Sequence, residues 1–95
     1  MLYITAIIKA RPDAAGTLTD LLQPLVAATR QEAGCHRYEL HRTLSDPATF
    51  VMLEEWASAE SIQAHNASKH FQQFVAGATP LLDGPLQIYT TEKVL

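Results

Sequence analysis

A chain of 95 residues, 47% of them apolar and 18% charged, is sized for one domain spanning residues 1–95 and is too apolar to stay disordered. Its formal charge of -3, with no cluster of lysines or arginines, argues against nucleic acid or an anionic membrane as partner. The single cysteine, Cys35, excludes an internal disulfide and suits a reducing, cytoplasmic location.

The first ten residues are apolar, but the run is short and lacks a basic leader or a small-residue cleavage site. It reads as a strand over about residues 2 to 10, and not as a signal peptide or a membrane span. Arg11-Pro12-Asp13 breaks it, with Asp13 placed to cap a helix. From Ala14 the period changes: Leu18, Leu21, Leu22, Leu25, Val26 and Thr29 recur at helical spacing. Pro24 removes the amide that would bond the Asp20 carbonyl, which predicts a kink or a late start. Gly34 stands where a left-handed residue would end the helix.

A second strand follows from about Cys35 to Thr43, with Cys35, Arg37, Glu39 and His41 alternating against His36, Tyr38, Leu40 and Arg42. Ser45-Asp46-Pro47 turns the chain into a third strand at about 49 to 56. Here Phe50, Met52, Glu54 and Trp56 share one face, and Val51, Leu53 and Glu55 the other. Ser58 and Ser68 are helix caps, so 59 to 79 reads as two short helices with a break near Asn66. Pro80, Gly84 and Pro85 end the helical region, and Leu86 to Val94 forms the fourth strand.

The order predicts an α+β, ferredoxin-like domain: a four-stranded antiparallel sheet with its helices on one face, because right-handed crossovers place both helical layers on the same side. The other face is not polar, since Tyr3 and Ile7 oppose Leu2, Ile4, Ala6 and Ile8, while Val51 and Leu53 oppose Phe50 and Met52. Both faces therefore need cover. A symmetric homodimer, sheet against sheet, supplies it.

Thr29-Arg30-Gln31-Glu32-Ala33-Gly34-Cys35, the following Tyr38, Phe50, Glu54-x-Trp56, Ser58, Glu60, His65, Ser68 and His70-Phe71 resemble the antibiotic-biosynthesis-type monooxygenase family along nearly the whole chain. Its members include small quinol monooxygenases. The resemblance implies a dimeric α+β barrel whose active members oxidise phenolic or hydroquinone substrates with O2, using neither metal nor flavin. Pro24, and Ala33 where a proline is common, depart from the pattern. Haem is not expected, because the ligand histidine of haem-degrading relatives has no counterpart in Gln72-Gln73-Phe74-Val75. The same fold hosts an isomerase and proteins without known activity, so fold alone is a weak guide to reaction.

Glu54, a carboxylate among Phe50, Met52 and Trp56, implies a pocket, because burying an unpaired carboxylate is costly. It is either a structural group paired with Arg37 or Arg42, or a catalytic carboxylate, while Glu55 on the other face suits a link at the dimer seam. His65 is the candidate base near neutral pH, against the alternative of a helix-capping histidine. Trp56, Phe71, Phe74, Tyr38, Tyr89 and Phe50 read mostly as core, with two of the aromatics expected to meet a ligand; Trp56, Phe71, Phe74, Tyr38, Phe50 and His70 are the candidates to line a slot for a planar ring. A five-residue offset on one helix would hold His65 and His70 about 140° apart, which predicts no metal site. Glycine-rich phosphate loops and nucleophile elbows are absent from the sequence. The expected function is cofactor-independent oxidation of a small aromatic hydroxy compound by O2, with His65 as base assisted by Glu54. The rivals are a proton-shuttling isomerase of a small oxygenated metabolite and a non-catalytic dimeric binding module.

Overall fold

The computed structural model describes residues 1–95. Strand β1 (Leu2–Lys9) leads through a 3-10 turn (Pro12–Ala14) into helix α1 (Ala15–Thr29); β2 (Cys35–Arg42) and β3 (Thr49–Trp56) form a hairpin; α2 (Ala59–Ala67), α3 (Lys69–Ala78) and a second 3-10 turn (Thr79–Leu81) precede β4 (Gln87–Thr91). The sheet runs β2-β3-β1-β4, antiparallel at every neighbour, which is the ferredoxin-like arrangement.

Strand alternation decides which side chains meet the helices. Ile4, Ala6 and Ile8 of β1, with Phe50, Met52, Glu54 and Trp56 of β3, are all buried, and the apolar ones join Leu18, Leu22 and Leu25 of α1 and Phe74 and Ala78 of α3 in one core. Trp56, Phe50, Leu18 and Leu22 are sealed almost completely, each worth about 1.5–3 kcal/mol of burial. On the outer face Tyr3, Ile7, Val51 and Leu53 are only partly covered, and Tyr89 is 54% exposed. No helix is long and apolar enough to cross a membrane.

Several local expectations need correction. Asp13 caps nothing: Pro12 presets the backbone for a tight turn, the Ala14 amide bonds the Arg11 carbonyl, and α1 starts without a side-chain cap. The helix then runs through Pro24 without the late start that proline predicted. Both Pro24 and Asp20 are exposed, so water can satisfy the carbonyl that the missing amide leaves. Gly34 is not left-handed; Gly84, φ 104°, is the only residue with positive φ, in the turn before β4. What Gly34 provides is clearance, because a Cβ there would overlap the Ser61 side chain of α2.

In β2 a bulge between Cys35 and Arg37 absorbs His36. Cys35 therefore pairs opposite Trp56 and packs on the core side with Tyr38, instead of sharing a face with Arg37. The fourth strand is shorter than expected: Leu86 and residues 92–94 lie outside it.

Candidate functional site

Two devices on the helical side bring the site together. The first is β3, where period-two alternation sets Glu54 and Trp56 on one face, so that the indole Nε1–H donates to Glu54 Oε1 at 2.9 Å. Tyr38 and Ile4 are the cross-strand neighbours of Glu54. The second is the break between α2 and α3. Ser68 leaves helical geometry (φ -67°, ψ 151°), its hydroxyl donates to the His65 carbonyl at 2.6 Å, and it accepts the Phe71 amide at 3.3 Å. His65 thus ends α2 while His70 and Phe71 begin α3.

The His65 ring lies between Trp56 and Phe71, with centroids 4.8 Å and 4.7 Å away, and the Tyr38 ring stands edge-on at 5.5 Å. Its Nδ1 is 2.8 Å from Glu32 Oε2, and His70 Nε2 reaches the same oxygen at 2.8 Å. Glu32 sits in the α1–β2 loop, held by its amide bonding the Thr29 carbonyl and its carbonyl accepting the Cys35 amide. The offset argument that separated His65 from His70 fails here, because the helix it assumed is interrupted at Ser68. Three potential ligand atoms, from Glu32, His65 and His70, lie within 4.8 Å of one another.

A cavity of about 40 Å³ opens beside these groups. Most of its lining is apolar, from Ile4, Ala6, Ile8, Leu25, Met52 and others, and no lysine or arginine borders it. Of the predicted site residues, Glu54, His65, Tyr38, Phe71 and Phe74 line this cavity. Trp56, Phe50 and His70 do not: Trp56 and Phe50 are core, and His70 is hydrogen-bonded to Glu32. Nor does an arginine pair Glu54. Arg37 bonds Glu39 at 3.1 Å and Glu55 at 3.4 Å on the outer face, and the Arg42 guanidinium lies 5.7 Å above the Phe50 ring.

Burial governs the electrostatics. It pushes the Glu54 carboxyl up to about 7, with the nearby Glu32 charge adding and the Trp56 hydrogen bond opposing. It pulls His65 below its ordinary value, against the opposing pull of Glu32, so the imidazole is neutral at neutral pH. It raises Tyr38 strongly, helped by the Glu54 charge, so that phenol stays protonated. Thr29 Oγ1 is the one sealed side-chain polar atom without a partner. Glu54 Oε2 and His65 Nε2 also lack partners within the chain, but neither is sealed. Chemically, that pairs an unencumbered acid oxygen with a neutral imidazole nitrogen on one apolar cavity.

Glu32 is the residue that sequence reasoning missed. It stands inside the Thr29–Cys35 motif, yet no periodicity connects it to residues more than thirty positions on.

The family model described as antibiotic biosynthesis monooxygenase matches residues 1–77. Among curated proteins, Bacillus subtilis "Putative monooxygenase YcnE" is 37% identical over 92 residues, covering 97% of each chain. Mycobacterium tuberculosis "Putative monooxygenase Rv0793" is 32% identical over 78 residues, covering 82% of this chain and 76% of the relative. Among solved structures, Pseudomonas aeruginosa PA3566 superimposes with TM-score 0.92 at 34% identity, covering 99% of this chain and 94% of that one.

Proposed function

This chain belongs to the antibiotic biosynthesis monooxygenase family, and from that premise we propose that it oxidises a small phenolic or hydroquinone-type compound with O2, without a bound cofactor. Membership supports a monooxygenase-type activity. The apolar, partly aromatic lining of the cavity supports the aromatic substrate class that the family resemblance implies. The carrying observation is that Glu54 and His65, each with one unpartnered polar atom, line the same apolar cavity.

In this reading His65 Nε2 removes the substrate's hydroxyl proton, and the bond's electron pair stays on oxygen as a phenolate. Glu54, half ionised near pH 7, hydrogen-bonds the substrate oxygen and orients the ring. The phenolate gives one electron to O2, and the phenoxyl–superoxide pair recombines at ring carbon as a peroxide. The ring C–H proton then passes to the outer peroxide oxygen as the O–O bond breaks, leaving a carbonyl on the ring and a hydroxide, and the hydroxide takes the proton held by His65 to become water. A phenol plus O2 becomes a quinone plus water, with four electrons drawn from the substrate. The apolar lining excludes bulk water that would separate the radical pair.

Entry of a ring requires the rim to part at Asn66, Leu86 and Ile88, since the cavity holds only about 40 Å³. Ile88 is 52% exposed and β4 is exposed throughout, so this rim is the least confined part of the wall. The same small volume favours the second reading, a dimeric binding module in which Glu54 and His65 only satisfy hydrogen bonds. The mostly apolar lining, without lysine or arginine, counts against the isomerase of a small oxygenated metabolite, which calls for a polar or anion-holding pocket. In both main readings the outer sheet face pairs two copies of the chain.

Oxygen uptake separates them. Chelator-treated protein is expected to consume O2 with at least one member of a phenol and hydroquinone panel, and His65→Ala to lose about a hundredfold or more. No uptake above the uncatalysed rate across the panel, or full activity in His65→Ala, leaves the binding-module reading in place.

A further inference from the structure

The geometry points to Glu32 and His70 as the positioning residues that make His65 a base: Glu32 accepts the Nδ1–H of His65 and so leaves Nε2 bare toward the cavity, while His70 clamps the same carboxylate oxygen. The inference rests on the proposed function for what the base acts upon, and on the structure alone for the tautomer.

A carboxylate oxygen accepts hydrogen bonds and donates none. Two imidazole nitrogens at 2.8 Å from Glu32 Oε2 must therefore each bring a proton, which assigns Nδ1–H to His65 and Nε2–H to His70. A neutral imidazole carries one N–H only, so the His65 proton at Nδ1 places its lone pair at Nε2. That nitrogen has no partner in the chain and is not sealed, and its residue borders the cavity. When Nε2 takes the substrate proton, the charge that forms sits beside an ionised carboxylate already bonded to the ring. The Nδ1–H bond is unbroken throughout.

His70 does a separate job. Glu32 reaches the site from a loop, and its side chain is 17% exposed, so one hydrogen bond to His65 leaves it rotational freedom. The second bond, from a histidine in the first turn of α3 with 28% of its side chain exposed, closes that freedom. Tilted packing against Trp56 and Phe71 confines the His65 ring, and Glu32 fixes its tautomer.

The same three groups have the composition of a metal site. Imidazole nitrogens bound to one ion at about 2.1 Å stand no more than about 4.2 Å apart. The donor atoms here spread to 4.8 Å, with the carboxylate oxygen at hydrogen-bond distance from both nitrogens. Hydrogen bonding describes these distances better than shared coordination.

The test is 15N NMR of the protein labelled in its histidine rings, where Nδ1 and Nε2 shifts report the tautomer directly. His65 is expected as the Nδ1–H form in the unmodified protein. Glu32→Gln, whose amide oxygen still accepts, is expected to keep that tautomer but lose the charge, lowering kcat at least about tenfold with KM within about twofold. Glu32→Leu is expected to release His65 toward the Nε2–H form. His70→Gln, which can still donate to Glu32, is expected to hold the tautomer better than His70→Ala. An Nε2–H His65 in the unmodified protein overturns the inference, as does a tautomer indifferent to Glu32→Leu. So do Co2+ absorption bands at one equivalent that vanish in His70→Gln, which would identify a metal centre. Failure of the proposed function is separate: it shows as the expected tautomer in a protein that consumes no O2.

Discussion

At Glu54 a single side chain links burial, titration and stability. Its folded carboxyl titrates near 7 against an ordinary 4.5, because desolvation disfavours the charged form more than the Trp56 bond favours it. The sign follows from proton counting: between those values the folded state holds the proton more tightly, so this group weakens folding as pH rises through 7. Below about 4.5 the acid is neutral in both states and costs nothing. Above 7 the penalty reaches about 3 kcal/mol for a group only 7% exposed. Glu54→Gln, which keeps an acceptor for Trp56, is expected to match the parent at pH 4.5 and to exceed it by up to that amount at pH 8.5. Urea unfolding of both proteins at the two pH values checks this, and equal gaps at both would contradict the buried, raised carboxyl. A protein that retains such a penalty does so for a reason other than stability. His65 shifts the opposite way, so acid ionisation at high pH and imidazolium formation at low pH are both disfavoured in this pocket. The importance of Glu54 was legible from β3 alternation alone, but its partner was not. Arginines were equally available by spacing, and the outer-face carboxylates took Arg37.

The elements position these groups through their ends. Ser68 interrupts a segment that would otherwise carry His65 and His70 to different sides, and the two serine caps that sequence reading placed are both made: Ser58 Oγ accepts the Ser61 amide, and Ser68 Oγ the Phe71 amide. Capping is a local interaction, which is why it could be read from the chain. The Gly34 contact is not local. Its amide neighbourhood leads into β2, yet the constraint on it comes from Ser61, across from it on α2, and its carbonyl accepts the Ala57 amide. Gly34→Ala is expected to cost about 1–3 kcal/mol by forcing these segments apart. Ser61→Gly alone costs about 0.5 kcal/mol, the difference between serine and glycine in a helix, but in the Gly34→Ala background it should restore stability. A double-mutant cycle by denaturant unfolding measures the coupling, and additive effects would mean that the two sites do not press on each other. This seam also holds the loop that delivers Glu32, so activity should fall with it.

For the whole molecule the unresolved demand is the outer face of the sheet. Tyr3, Ile7, Val51, Leu53 and the exposed Tyr89 form an apolar surface over three adjacent strands, with the Arg37–Glu55 pair nearby on β2 and β3. A surface of this kind marks an association site, and the proposed homodimer would cover it with closed symmetry. Leu53→Lys is expected to shift sedimentation from a species of twice 10.5 kDa toward a single chain, with little change in secondary structure by circular dichroism. A parent protein that sediments as a single chain at micromolar concentration would remove the dimer from the proposal.

Periodicity, caps and breakers are properties of neighbours along the chain, so the sequence by itself determined the seven main elements, the ferredoxin-like order, the inward face of β3 and the candidacy of Glu54 and His65. Contacts between distant segments carry no such signature. Only the tertiary structure decided that Glu32 joins His65 to His70, that Trp56 and Phe50 are core and not cavity wall, that a bulge at His36 turns Cys35 inward, and that Gly34 is required by Ser61. Each of these depends on how loops and helix ends converge over the sheet, a distance in space that no spacing in sequence encodes.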